Sequence, residues 1–345
     1  MRRFVRLALL ASLSVALFAQ APATFTVVVW NDIHTDSAGN TVAGGHIRDW
    51  IVANKTARNI TGFLSAGDEI ADPLSATGHW TDVVGLLTDI HNAGIPVVTA
   101  LGNHDVAFFS APDSSQWNFY IAPLNAAWAS HVSSSHFTGG LASANEQNVN
   151  VYFPWDVVTA SGTIHLAGVA VNMNAAHGDI SDVRALMDAD TTRQYILTTH
   201  MFVSTRDASN NPVAAHTCLY GEEFCVATNA VGAQDGVDMW TDLSANPRIL
   251  AMMSGHEHLQ GFYTMAGSGP NPVIAMENFN AALNGGTFTI LNFRPADRKI
   301  DLISSQWNSG TSTFVETTLG TYDWTPILSS ASSSALYGGG LVVHE

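Results

Sequence analysis

Thr24-Phe25-Thr26-Val27-Val28-Val29-Trp30-Asn31-Asp32-Ile33-His34 begins as a run of β-branched and aromatic residues and ends in a polar cluster. The run reads as a strand over 24–30. The same figure returns downstream, with helical period over 47–58, a strand over 60–64, a helix over 80–92 and a strand over 95–100. A β-α-β-α-β series implies parallel strands joined by crossover helices. Further apolar strands are expected at 195–199 and 249–253, with a helical stretch at 237–243 before the second. From 262 onward the pattern changes to short strands (273–276, 287–293, 299–304) separated by Gly, Asn and Pro. These are expected to form an antiparallel hairpin region that completes a second sheet.

The flanks of this region have other characters. Arg2, Arg3 and Arg6 precede an apolar run from Leu7 to Ala19 and then small residues, the pattern of an export signal over 1–23. The run is too short to span a bilayer. The expected organisation is a signal peptide at 1–23, one domain at 24–328 and a Ser/Gly-rich tail at 329–345. A secreted or periplasmic location follows, with no membrane span in the mature chain. Cys218 and Cys225, the only two cysteines, are then expected to close a disulfide in a surface loop.

Charge excludes several functions. The chain carries 13 basic and 29 acidic residues, a net −16, and removal of the three N-terminal arginines takes it to −19. A surface of that sign is unsuited to nucleic acid, whose backbone needs a basic footprint. Its two lysines, Lys55 and Lys299, follow no Gly-rich loop, so no P-loop is present. Neither G-x-S-x-G nor H-E-x-x-H occurs. An anionic substrate would need local positive charge, which divalent cations can supply.

Every strand named above that could be parallel ends in potential metal donors. The ends read Asn31-Asp32-Ile33-His34, Ala66-Gly67-Asp68, Gly102-Asn103-His104-Asp105, Thr199-His200 and Gly255-His256-Glu257-His258. Carboxyl ends of parallel strands are where open α/β sheets place ligands. Oxygen and imidazole donors of this kind suit Zn, Mn or Fe. In D-x-H and H-x-H, alternate residues of an extended backbone point the same way, so both can face one ion. A Gly before the donors allows a sharp turn and a close approach. Seven donors exceed one tetrahedral ion and suit two ions about 3.5 to 4 Å apart sharing a carboxylate. Taken singly, Asp32 could be a cap, Asn103 and Asp105 turn formers and His200 a structural histidine. The other nine histidines have no comparable context.

The ordered set D-x-H, G-D, G-N-H-D, H and G-H-x-H, with 34 residues from His34 to Asp68 and 35 from Asp68 to Asn103, resembles the signature of calcineurin-like metallophosphoesterases. The resemblance covers about 25 to 260 and implies an α/β fold, a four-layer α/β/β/α sandwich of two mixed β-sheets flanked by helices. It also implies two divalent ions, one held by Asp32, His34 and His258, the other by Asn103, His200 and His256, with Asp68 bridging. His104 would lie beside the substrate phosphate, its ring oriented by Asp105. The implied activity is hydrolysis of a phosphoester by hydroxide generated between the ions. A metal-containing binding protein of the same fold with little turnover is the competing expectation. Purple acid phosphatases carry Tyr four residues after the Gly of G-D-x-x-Y, and the corresponding residue is Ala71. Leaving group, metal identity and oligomeric state are not expressed in these residues.

Overall fold

The computed structural model describes residues 21–34, 38–69, 77–100, 102, 151–171, 177–200, 202–206, 212–214, 236–256, 260–265, 267–278 and 286–329. Asn103, His104, Asp105, His258, Ala71, both cysteines, the signal segment up to 20 and the tail from 330 lie outside the described residues. The first half-sandwich contains β1 (Phe25–Val29), α1 (Ala38–Asn54), β2 (Ile60–Ser65), α2 (Thr77–Asn92) and β3 (Val97–Thr99). The second contains β4 (Val151–Thr159), β5 (Gly162–Val171), α3 (His177–Ala189), β6 (Gln194–Thr199), a small hairpin of β7 (Val203–Arg206) and β8 (Pro212–Ala214), α4 (Gly236–Leu243) and β9 (Ile249–Ser254). The remaining strands are β10 (Gln260–Met265), β11 (Val273–Asn278), β12 (Thr287–Arg294), β13 (Lys299–Asn308), β14 (Thr313–Asp323) and β15 (Leu328–Ser329).

Two mixed sheets result, one ordered β14-β13-β12-β1-β2-β3 and the other β10-β11-β9-β6-β5-β15, with β4 also on β5. In the first, β1, β2 and β3 are parallel, as the β-α-β-α-β pattern implies. In the second, β5, β6, β9 and β11 are parallel. One expectation is corrected here. Of the short strands expected at 273–276, 287–293 and 299–304, only β11, antiparallel to β10, joins the second sheet; β12 runs antiparallel to β1, from Phe25 opposite Phe293 to Val29 opposite Thr289, so β12, β13 and β14 extend the first. Sequence spacing cannot express a pairing between segments this far apart, because either sheet offers an edge.

Alternation along the strands separates the layers. In β5 and β6, Leu166, Ala170 and Ile196 pack into the core between the sheets with Phe63 and Val98 of the first sheet. Their neighbours Ala167, Val169, Val171, Tyr195 and Leu197 face α3 and α4 through Ile180, Val183, Met187, Met239 and Leu243. Strands buried on both faces read as continuous apolar runs, which is why they stand out in the sequence. Ile47 and Ile51 of α1 and Val83, Leu87 and Ile90 of α2 are buried with the first sheet. The order is helix, sheet, sheet, helix. Among the described residues no helix is long and apolar enough to cross a membrane.

Trp324 anchors the end of the first sheet. Phe25 and Phe293 stack at 4.5 Å, and the Trp324 ring meets them edge-on at 6.1 and 5.1 Å. Its indole N–H donates to Gln194 Oε1 at 3.1 Å, tying the C-terminal segment to the second sheet. Trp324→Ala is therefore expected to cost about 3–5 kcal/mol of stability, read as a lower urea midpoint. A loss below about 1 kcal/mol would place the ring outside the cooperative core.

Candidate metal centre

The donors collect where the carboxyl ends of both sets of parallel strands meet. Loops after β1 and β2 run side by side, with Trp30 N–H on Leu64 O, Asp32 N–H on Gly67 O and His34 N–H on Asp68 O at 2.9 to 3.0 Å. The loop after β9 crosses from the second sheet, where His256 N–H donates to Asp32 Oδ1 at 3.0 Å. His200, at the end of β6, lies between them. Its Nδ1 is 3.1 Å from the Ala66 carbonyl, and a carbonyl can only accept, so Nδ1 carries the proton. In the neutral ring Nε2 then offers a lone pair, 3.1 Å from Asp68 Oδ2 and 3.1 Å from His256 Nδ1. His34 Nε2 is 3.3 Å from the same Asp68 oxygen.

Two donor groups follow, Asp32 with His34 and Asp68, and Asp68 with His200 and His256, the ligand atoms within each lying within 4.8 Å of one another. Asp68 belongs to both. Of the residues singled out in the sequence, the structure brings these five together, and Asn103, His104, Asp105 and His258 fall outside the described residues.

The way they converge differs from the sequence expectation. Asp32 and His34 do not share a direction through extended backbone: their φ angles are 51° and 47°, and Asp68 and His256 are at 55° and 73°. Four of the five donors thus occupy the left-handed region that non-Gly residues rarely adopt, and such strain concentrates at functional sites. Flanking hydrogen bonds hold them there. Two glycines make room: a Cβ at Gly102 would fall 2.1 Å from Asp68 Oδ1 and 2.7 Å from His200 Nδ1, and one at Gly255 would fall 2.1 Å from Asp32 Oδ2.

The residues fit a cation. Asp32 is fully buried and its Oδ2 accepts no hydrogen bond among the described residues. Burial is the largest influence on its carboxyl, which is pushed up to about 7, with the Asp68 charge adding to the rise and His200 and His34 opposing it. For His34, burial disfavours the imidazolium, but the hydrogen bond and charge of Asp68, with the charge of Asp32, outweigh it and raise its pKa above the ordinary value. A lone-pair cluster that holds protons this tightly is one a divalent ion would neutralise.

A pH-dependent stability follows for chelated protein. Asp32 binds its proton more tightly folded than unfolded, so stability falls as pH rises from about 4 to about 7. The raised His34 acts in the same sense, its contribution being lost as pH climbs through the folded value. Asp156, Asp190 and Asp301, all lowered, lose their contributions only as pH falls below the ordinary carboxylate range, outside this window. Bound ions remove the penalty at high pH and compete with protons at low pH. EDTA is therefore expected to lower the melting temperature several degrees more at pH 8 than at pH 5, at about 2 °C per kcal/mol for a domain of this size. An equal or reversed difference in differential scanning fluorimetry would contradict this.

Sequence inspection missed Asn31, fully buried beside Asp32. Its only signal is its place in the polar cluster, since its partners lie 35 and 223 residues away.

Comparison with known proteins bears on the same residues. The family model described as calcineurin-like phosphoesterase matches residues 25–260. No curated protein sequence matches the chain. Among solved structures, GAP50, the anchor in the inner membrane complex of Plasmodium, is similar with a TM-score of 0.48 at 8% identity, covering 90% of this chain and 90% of its own. A dimetal phosphatase from Danio rerio is similar with a TM-score of 0.48 at 10% identity, covering 86% of this chain and 99% of its own. The family match takes in well over half of the sequence and every strand end that carries a donor, and on that ground the chain belongs to the calcineurin-like phosphoesterases, which are metal-dependent phosphoesterases.

Proposed function

We propose that this protein is an exported hydrolase of phosphomonoesters or phosphodiesters that works with two divalent ions. Asp32, His34 and His258 would hold one, Asn103, His200 and His256 the other, and Asp68 would serve both. The observation that supports this most is the position of Asp68, common to both donor groups. When bound, the ions would supply Lewis acidity toward the phosphoryl oxygens and lower the pKa of water to a useful range.

The chain's own residues do the rest. The Ala66 carbonyl fixes the His200 tautomer and presents the Nε2 lone pair as the ligand atom. The His256 amide holds Asp32 in place through Oδ1, which leaves Oδ2 to face the ion. His34 is the more open side, its side chain 17% exposed against 3% for Asp68 and 0% for His200, so substrate would approach there. His104, oriented by Asp105, would donate a proton or hydrogen bond to the leaving oxygen in an in-line displacement. Export is supported by the basic-apolar-small pattern of the first 23 residues.

The test is metal analysis of active protein together with turnover of p-nitrophenyl phosphate and its bis ester in Mn, Zn or Fe. Roughly two ions per chain and release from at least one ester are expected. Active protein holding no divalent ion would end the scheme. Bound metal with neither ester cleaved would point to a binding protein.

A further inference from the structure

The loops that carry the donors belong to two different sheets, and among the described residues several side chains fasten one sheet's loops to the other's. Asn31 is one. Its Nδ2 donates to the Ser254 carbonyl at 2.9 Å, at the end of β9, and its Oδ1 accepts from Ala66 N–H at 2.9 Å, after β2. Both partners stand next to ligands. Ser254 precedes Gly255 and His256, whose amide holds Asp32, and the carbonyl of Ala66 receives His200 Nδ1. Asn31 itself adjoins Asp32. One amide therefore touches the loops bearing Asp32 and His34, Asp68, and His256, and reaches His200 through a single residue, Ala66.

We infer that Asn31 is a positioning residue that sets the spacing of the two donor groups across the sheet interface, acting through Ala66 and Ser254 and not by touching metal or substrate. An amide suits the task because it offers a donor and an acceptor without charge. Aspartate at this buried place would add a third carboxylate beside Asp32 and Asp68 and supply no donor for Ser254. The inference rests on the metal-site reading above. Outer partners of this kind typically govern metal affinity by about 10–100-fold.

The experiment measures Co(II) affinity by equilibrium dialysis with metal analysis, and the visible Co(II) spectrum, for wild type, Asn31→Ala and Asn31→Ser. The Ser variant, able to keep at most one of the two bonds, guards against a failure of the Ala variant to fold. Gln194→Ala is the stability control. Gln194 is likewise buried and binds Trp324 Nε1, Ile327 N–H and the Thr325 carbonyl, but at the other end of β6 from His200. Expected is a Co(II) affinity weaker by about 10–100-fold for Asn31→Ala, a smaller loss for Asn31→Ser, and an altered spectrum in both. Gln194→Ala should lose melting temperature and keep wild-type Co(II) binding. Wild-type affinity and spectrum in both Asn31 variants would overturn the inference and leave the residue as structural. Failure of the wild type to take up Co(II) would overturn the parent reading, and this inference with it.

Discussion

Asp68→Ala is expected to abolish binding at both metal positions together and to lower phosphoester turnover by about four orders of magnitude, the scale seen when a member of an interdependent catalytic set is removed. Its Oδ2 is the atom that both donor groups share, 3.3 Å from His34 Nε2 and 3.1 Å from His200 Nε2. Without it, each group keeps donors on one side only. Loss should therefore be coupled, with metal content dropping from near two to well below one per chain, and not to one. His104→Ala is the contrast, because a residue that serves the leaving group should reduce turnover while metal content stays. Metal analysis and kcat measured on the same preparations separate these outcomes. An Asp68→Ala protein that retains a full complement of metal would show that the carboxylate is not shared.

The sequence carries the site more clearly than it carries the architecture, and the reason is local. Donors at strand ends announce themselves because each follows an apolar run, and parallel strands place those ends together whatever the pairing order. Elements whose stability comes from tertiary packing are harder to see. Helix α1 begins at Ala38, well before the helical period at 47, since Gly44 and Gly45 erase the apolar stripe there. Pattern alone assigns no element to 151–171, where β4 and β5 form a long hairpin. Pro154 within β4 argues against a strand, yet β4 pairs only with β5 among the described residues, and an outer strand tolerates a missing N–H. The placement of β12 against β1 is unreadable for another reason: it depends on a match between segments that the chain itself keeps far apart. Backbone strain at Asp32, His34, Asp68 and His256 is likewise invisible, because local propensity would place those residues elsewhere and only the assembled loops hold them.

The second large effect is expected from one methyl group. In Gly255→Ala the new Cβ would lie 2.1 Å from Asp32 Oδ2, 2.9 Å from its Cγ and 3.1 Å from Oδ1. Asp32 has little freedom to yield, being fully buried, with its N–H bound to Gly67 O and its Oδ1 to His256 N–H. Either the carboxylate or the His256 loop must move, and each carries a proposed ligand. Overpacking of this kind costs about 1–3 kcal/mol in stability. A displacement near 1 Å at a reacting centre can cost about 100-fold in rate, and here metal affinity should fall as well. Gly85→Ala supplies the control. It sits inside α2, and its Cβ would meet nothing within 4 Å, so the helix should gain about 0.5–1 kcal/mol with metal binding unchanged. Melting temperature and metal content measured on both variants decide the matter. Gly255→Ala protein with wild-type metal content and activity would mean that Asp32 does not need the space the glycine leaves, and that its buried Oδ2 faces something other than an ion.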